Sequence, residues 1–355
     1  MAKFYGGLDL GSSVCEFVVI DESEVEVYHV KCPPGRRELV RHVREFRQQH
    51  PGELHVAFEE GELAQWAAGV LRPYVTRVIV CDPRRNAWIA RDSQKNDAVD
   101  ARKLARLLKG GFLHEIYHPE DQLRIDFKRA VQHYHDITQN QAALKCQIKA
   151  RYRAEGVIFR ESVGVSPEKR EETLAQLPHD TGRQFVRQLY DLLEATRKIQ
   201  EQAHRLMVAL GRSFPEVRQF QEVPGIGPVW ACTFSAYIQT PARFRNKRKL
   251  WRFCKLGITN RQSNGEPLGR QRLDRSGVGI LKSLSFRAFC AAQRGDNEFS
   301  RHYAESLKRT SNHTHARLST QRKILAVLYG MWKRHEDYRS SRPEGDIAEK
   351  NVKTG

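Results

Sequence analysis

The stretch FYGGLDLGSSVCEFVVID (Phe4–Asp21), continued by VEVYHV (Val25–Val30), decides the fold. FYGGLDLG and CEFVVID are short apolar runs of strand length, and GSS between them is turn material. VEVYHV alternates apolar and polar residues with period two, as a half-buried strand does. Three strands are therefore expected at the start of the chain. Working outward, RRELVRHVREFRQQH (Arg36–His50) reads as a helix with Leu39, Val43 and Phe46 on one face. ELHVAFEEG (Glu53–Gly61) reads as a fourth strand, LAQWAAGVLRPY (Leu63–Tyr74) as a helix and RVIVCDP (Arg77–Pro83) as a buried fifth strand. NDAVDARKLARLLKGG (Asn96–Gly111) is a helix ended by a glycine pair.

Three leading strands followed by alternating helix and strand match an α/β, ribonuclease-H-like sheet, expected over residues 1–118. Residues 119–215 change character. Ala130, Tyr134, Ile137, Gln141, Leu144 and Ile148 recur at heptad-like spacing, as do Leu189, Leu192, Thr196, Ile199, Ala203, Leu206 and Leu210. GVSPEK and QLPHD break the helix between these seams. The pattern predicts an antiparallel helical hairpin or coiled coil. Residues 216–338 form a third, mainly helical segment opened by VPGIGPVWACTFSAYI (Val223–Ile238). The tail, residues 339–355, is polar and reads as disordered.

The chain has 355 residues, with 60 Lys plus Arg against 42 Asp plus Glu, a formal charge of +18. That excess favours polyanions, above all nucleic acid, whose phosphates bind Lys and Arg with release of counterions. No apolar run approaches the ~18–20 residues of a membrane span, and MAKFYGGLDL turns polar too soon for a signal peptide. Seven cysteines without a Cys-x-x-Cys suggest neither a zinc ribbon nor a disulfide framework. The chain reads as cytoplasmic and reduced.

Four carboxylates draw attention. Asp9 lies between Leu8 and Leu10, and an acid within an apolar strand usually has a task or a partner. Glu59 ends another strand, with Glu60 and Glu62 as neighbouring alternatives. Asp97 and Asp100 are three apart and share a helix face. Two strands and one helix could bring these oxygens to a pair of divalent cations, Mg²⁺ by its preference for oxygen ligands, for phosphoryl transfer. A helix-terminal charge at Asp97 and an ion pair of Asp100 with Lys103 are the plainer alternatives. LDLGSS also looks like the first phosphate turn of actin-like ATPases and sugar kinases, but no second phosphate turn or adenosine loop follows.

VPGIGPVWA has the form of a helix–hairpin–helix turn, in which Gly225 and Gly227 would let backbone N–H groups approach a phosphate. From Pro241 to Arg287 there are thirteen Lys or Arg and two acids, Glu266 and Asp274, with Trp251 and Phe253 interleaved. This is the pattern of a nucleic-acid footprint. Within it TNRQSNGEP (Thr259–Pro267) carries Ser263, a candidate nucleophile; Arg261, Arg270, Arg272 and Arg275 are candidate phosphate contacts. No His lies nearby for an ordinary Ser-His-Asp triad.

Taken in order, LDLG, FEEG, IVCDPRRN (Ile79–Asn86), KNDAVDARKLA (Lys95–Ala105), the hairpin, PGIG, ARFR (Ala242–Arg245) and RQSNG (Arg261–Gly265) resemble the transposases of the insertion-sequence-110 family. The resemblance covers residues 4–335. It implies a RuvC-like DEDD domain with the tetrad Asp9, Glu59, Asp97 and Asp100 binding Mg²⁺. It also implies a transposase domain whose serine, here Ser263, attacks the DNA backbone to form a phosphoserine link. Family members usually carry Gly directly after that serine; here Asn264 precedes Gly265. The resemblance further implies donor and target DNA, a structured bridge RNA, and a dimer that assembles into a tetrameric synapse. A RuvC-like nuclease using water and a non-catalytic nucleic-acid-binding protein are the alternatives from other classes.

Overall fold

The computed structural model describes residues 1–83, 97–159, 169–259, 262–263, 266–267 and 272–339. Side chains of Asp97, Gln262, Ser263, Glu266 and Pro267 lie outside that description. The chain divides into two compact units, Met1–Glu120 and Asp121–Gly355.

The first unit is built on five strands: β1 (Lys3–Leu10), β2 (Cys15–Ile20), β3 (Glu26–Cys32), β4 (Glu53–Glu59) and β5 (Arg77–Cys81), in the order β3-β2-β1-β4-β5. β1, β2 and β3 form an antiparallel meander, while β4 runs parallel to β1 and β5 parallel to β4. The five strands fall where the sequence placed them, in one mixed sheet. Helices α1 (Arg36–Gln49) and α2 (Ala64–Leu71) cover one face. There Leu39, Val43, Phe46, Ala64 and Ala68 pack against Phe4, Leu8, Phe17, Val56 and Phe58. Helix α3 (Asp97–Lys109) covers the other, with Ala101 and Ala105 against Val18 and Ile20, and Leu108 against Ala57 and Ile79. The period-two pattern of each strand thus feeds two separate cores.

In the second unit, α4 (Gln122–Ala154) starts where the Asp121 carboxylate accepts from the Leu123 backbone N–H at 3.0 Å. After a short helix α5 (Arg170–Leu174), α6 (Asp180–Gly211) returns beside α4. Gln141 donates to the Thr196 carbonyl at 3.1 Å and Gln200 to the Thr138 hydroxyl at 2.8 Å, so the helices are antiparallel. The α4 seam falls as expected on Ala130, Ile137, Gln141, Leu144 and Ile148. The α6 seam holds only in part. Ala203 is buried and Leu189, Thr196 and Leu210 are half-buried, but Leu192, Ile199 and Leu206 are exposed, and Val186, Tyr190, Leu193 and Met207 are buried. The helix carries two adjacent apolar stripes, and a one-residue shift turns the packing face by ~100°. The bulkier stripe, with Tyr190 and Met207, faces the partner helix.

The base of the hairpin shares a core with the helices that follow: Phe127, Val131 and Met207 pack with Phe214, Phe220, Phe234 and Trp332. These helices are α7 (Pro215–Phe220), α8 (Pro228–Ile238), α9 (Lys247–Phe253), α10 (Gly279–Ala292), α11 (Glu298–Thr310) and α12 (His313–Arg334). Between α9 and α10 lie short strands β6 (Ile258–Thr259), β7 (Gln262–Ser263), β8 (Glu266–Pro267) and β9 (Arg272–Leu273). No helix among the described residues is long and apolar enough to cross a membrane.

Candidate active site and nucleic-acid interface

In the first unit the register aligns the predicted acids. β1 and β4 pair at a constant offset, from Lys3↔Glu53 to Gly7↔Ala57. The paired stretch ends there; Asp9 and Glu59 each lie two residues farther along β1 and β4. Both therefore share a sheet face with Gly7 and Ala57. That face is the α3 side. A Cβ on Gly7 would sit 1.8 Å from the Ala101 carbonyl oxygen and 2.8 Å from the Ala105 nitrogen. Only glycine lets β1 and α3 approach so closely.

The direction of α3 places its first turn toward the acids. Tyr5 packs against Ala101, Ala105 and the cluster holding Leu108, whereas Gly7 lies under Ala101 and Ala105. Moving toward the N-terminus of α3 thus means moving from Tyr5 past Gly7. Two strand residues span ~6.7 Å and one helix turn ~5.4 Å, so the turn Asp97–Asp100 falls at the level of Asp9. Asp97 is the first described residue of α3. The acids also stand where the chain stops building the sheet on one side of β1 and starts on the other, at the carboxyl ends of β1 and β4. That is the usual ligand position of an open α/β sheet.

Glu60 lies beyond the strand, bonded to His118, whose other ring nitrogen is 2.8 Å from the Gln65 amide oxygen. Glu62 is exposed. Opposite Glu59 stands buried Cys81, whose thiol donates to the Phe58 carbonyl at 3.4 Å. On the other side of Asp9 the thiol of Cys15 is pushed up to about 11 by burial, by Cys32 and by the negative charge of Asp9. Among the described residues, no three His, Cys, Asp or Glu side chains stand close enough to hold a metal ion. The donor set is all carboxylate oxygen, which suits a hard cation such as Mg²⁺ or Ca²⁺ and not a thiophilic one.

The sequence reading missed Glu16. It pairs directly with Asp9 across β1 and β2, lies on the α3 face and is 6 % exposed. Burial opposes its ionisation, but hydrogen bonds from His29 and Lys31 outweigh that and hold its carboxyl below the usual range. Only the β2–β3 register, which sequence periodicity does not give, brings those partners opposite.

In the second unit, Ser263 is paired with Glu266, and Gln262 with Pro267. Ile258–Thr259 pairs with Arg272–Leu273 outside them. Ser263 is the last residue of β7. Two residues, Asn264 and Gly265, separate the strands; they lie outside the described residues.

The base of this hairpin is anchored to α9. The Asp274 backbone N–H donates to the Gly257 carbonyl at 2.8 Å and Val278 N–H to the Phe253 carbonyl at 2.7 Å. The buried Asp274 carboxylate binds Arg252 and the Ser276 hydroxyl. The Ser276 hydrogen bond, opposed by burial and helped by Arg252, holds its carboxyl below the usual range.

Gly225 has φ +88°, and a Cβ there would meet the Ala288 carbonyl oxygen at 2.3 Å. Its lack of a side chain serves the packing of the turn on α10. Space around Gly227, the N-cap of α8, is open. Arg272 and Arg275 are exposed; Arg261 and Arg270 lie outside the described residues. Lys247, Arg248 and Lys249 are exposed on the first turn of α9, capped by the Asn246 side chain. Other members of the basic run are structural. Arg243 donates to the Tyr237 and Ile238 carbonyls at 3.1 and 3.0 Å, closing the end of α8, and Arg252 holds Asp274.

Two family models match the chain. A DEDD model described as "Transposase" matches residues 6–151, and one described as "Transposase IS116/IS110/IS902 family" matches residues 217–304. The first takes in Asp9, Glu59, Asp97 and Asp100, the second Ser263. No curated protein matches the chain.

Proposed function

The chain belongs to the IS110 family of transposases and is a DNA transposase/recombinase; from that premise we propose that it exchanges DNA strands through a covalent bond to Ser263. The Ser263 oxygen attacks phosphorus, a phosphoserine ester forms, and the bond to the leaving sugar oxygen breaks. The serine proton passes to a base and the leaving oxygen takes one up. A sugar hydroxyl of another strand then attacks the phosphoserine and releases Ser263. One phosphodiester is exchanged for another, so no high-energy cofactor is consumed.

Domains of the DEDD type generally use a divalent metal. In this reading Asp9, Glu59, Asp97 and Asp100 hold Mg²⁺. When bound, the ion supplies charge stabilisation to the phosphate oxygens. The chain's own part is to hold the acids at one level, with Gly7 setting the approach of α3. The close approach of α3 at Ala101 to Gly7, two residues before Asp9 on the same face of β1, is the observation that supports this assignment. Glu59 is preferred to Glu60, which is bonded to His118, and to exposed Glu62.

Arg261, Arg270, Arg272, Arg275 and the Gly225–Gly227 turn contact the phosphates of donor and target DNA in this proposal, and a structured bridge RNA selects the sites. The +18 charge supports such polyanion partners. The protein works as a homo-oligomer, a dimer that pairs into a tetramer, in the cytoplasm. Support for self-association comes from α6, where Phe185, Leu192, Ile199 and Leu206 are 52, 51, 47 and 54 % exposed at heptad spacing. A helix stripe of that kind is a coiled-coil seam in search of a second copy.

The test is strand cleavage and rejoining by purified protein with its RNA and both DNAs. Asp100→Asn and Glu59→Gln should retain DNA binding and lose Mg²⁺-dependent cleavage. Ser263→Ala should lose recombination. Undiminished cleavage by Ser263→Ala, with the newly formed phosphate ends carrying oxygen from water, would establish a water-using nuclease instead.

A further inference from the structure

The α3 face of the sheet carries one polar row straight across three strands. Lys31 on β3 pairs with Glu16 on β2, and Glu16 with Asp9 on β1. Two acids stand side by side, and the row ends in a lysine.

Glu16 is not a spare ligand. One of its carboxylate oxygens is 2.8 Å from His29 Nε2, the other 3.3 Å from Lys31 Nζ. Buried as it is, it holds two side chains that are themselves open to solvent: Lys31 is 62 % and His29 37 % exposed. Glu26 then links His29, at 3.5 Å, to Arg102 of α3, at 2.7 Å. An ammonium group has three N–H donors, so Lys31 keeps donors for a second acceptor while Glu16 fixes its place.

We propose that Lys31 binds a nucleic-acid phosphate beside the carboxylate row and that Glu16 is the positioning residue that holds it there. The proposal rests on the reading of Asp9 and Glu59 as the catalytic acids. A phosphate brought to those acids meets their negative charge. Lys31 stands two strand spacings from Asp9, ~9.6 Å between backbones. That is within one Debye length, about 10 Å at 0.1 M salt, so a fixed cation there offsets the repulsion felt by the same stretch of backbone. A long, exposed lysine anchored by a buried acid has less freedom to lose on binding than one in solvent.

The experiment measures DNA affinity of the full-length protein for a duplex of fixed length, across a salt series, with thermal denaturation alongside. Lys31→Gln should weaken binding several-fold and lower the slope of log K against log salt by about one. Lys31→Arg should restore both. Glu16→Gln should slow cleavage with little change in slope, and adding it to Lys31→Gln should slow cleavage no further. An ion pair that serves folding alone would lower the melting temperature and leave affinity and slope unchanged; that result overturns the proposal. Asp9→Asn separates the two readings. If it abolishes cleavage while Lys31→Gln binds as wild type, the Lys31 inference alone fails. If Asp9→Asn cleaves normally, the catalytic assignment beneath it fails.

Discussion

Gly7→Ala is the sharpest probe of the carboxylate site, because it touches none of the acids. The new Cβ would lie 1.8 Å from the Ala101 carbonyl oxygen, where real Cβ atoms stay beyond 3.0 Å. Both groups are backbone or fixed to it, so α3 has to move off the sheet by at least about 1.2 Å. The helix carries Asp97 and Asp100, while Asp9 and Glu59 stay with the sheet, so the displacement opens the tetrad. A misplacement of ~1 Å in a catalytic constellation costs on the order of 100-fold in rate, or about 2.7 kcal/mol of barrier. Overpacking adds a loss of roughly 1–3 kcal/mol in stability. The assay is single-turnover cleavage of end-labelled DNA at saturating protein, well below the melting temperature. Gly6→Ala is the control. Its Cβ points to the opposite face and meets the Phe17 ring edge at 2.8 Å, so it should lower stability and spare cleavage. Cleavage by Gly7→Ala within threefold of wild type, with an unchanged melting temperature, would refute the placement of α3 as the holder of the acids.

Asp274→Asn should loosen the serine hairpin by breaking its contacts with Arg252 and Ser276; a loss of about 1–3 kcal/mol by denaturant unfolding is expected, with recombination falling more than DNA binding. Ile199→Lys on the exposed α6 stripe should leave helical content intact and shift the protein toward monomer in sedimentation velocity; an unchanged oligomer would remove that seam from the interface. Buried His135 accepts or donates at 2.8 Å to the Thr233 hydroxyl, and burial pushes its pKa down to about 4. The unfolded chain binds this proton at an ordinary pKa near 6.5, so stability is full above that pH. It falls on acidification from about 6.5 to about 4, by on the order of 3 kcal/mol, and His135→Gln should flatten that stretch of the curve. Glu16 and Asp274, both held below the usual carboxylate range, act lower. Their contributions are present above the unfolded carboxylate pKa and are lost as pH drops through the folded values, so Glu16→Gln should be less acid-sensitive than wild type.

The sheet was legible because its strands differ in pattern. The alternation in VEVYHV, the apolar runs around LDLG and the helices between later strands placed all five strands; their order in the sheet comes from the structure. Asp9 stood out as an acid where an apolar residue was due. Its neighbour Glu16 did not, since its significance depends on β2–β3 register and not on spacing. The α6 seam was partly misjudged, for a related reason. Leu189, Leu192, Leu206 and Leu210 make a sound heptad, but so do Val186, Tyr190, Leu193 and Met207, and periodicity cannot choose between two stripes on one helix. The basic run from Pro241 to Arg287 reads as one footprint in sequence, whereas in the fold Arg243 and Arg252 are turned to carbonyls and to Asp274. Gly225 looked like an approach to phosphate, and its missing side chain answers to Ala288. Ser263 was found by motif alone.

The claim at the centre of this account is that Ser263 becomes covalently joined to DNA. Protein incubated with its RNA and a suicide DNA substrate is denatured, digested and mapped by mass spectrometry. The account predicts a nucleotide adduct on the peptide that carries Ser263, present in wild type and absent in Ser263→Ala. An adduct on a different residue, or cleaved DNA without any adduct, would contradict it.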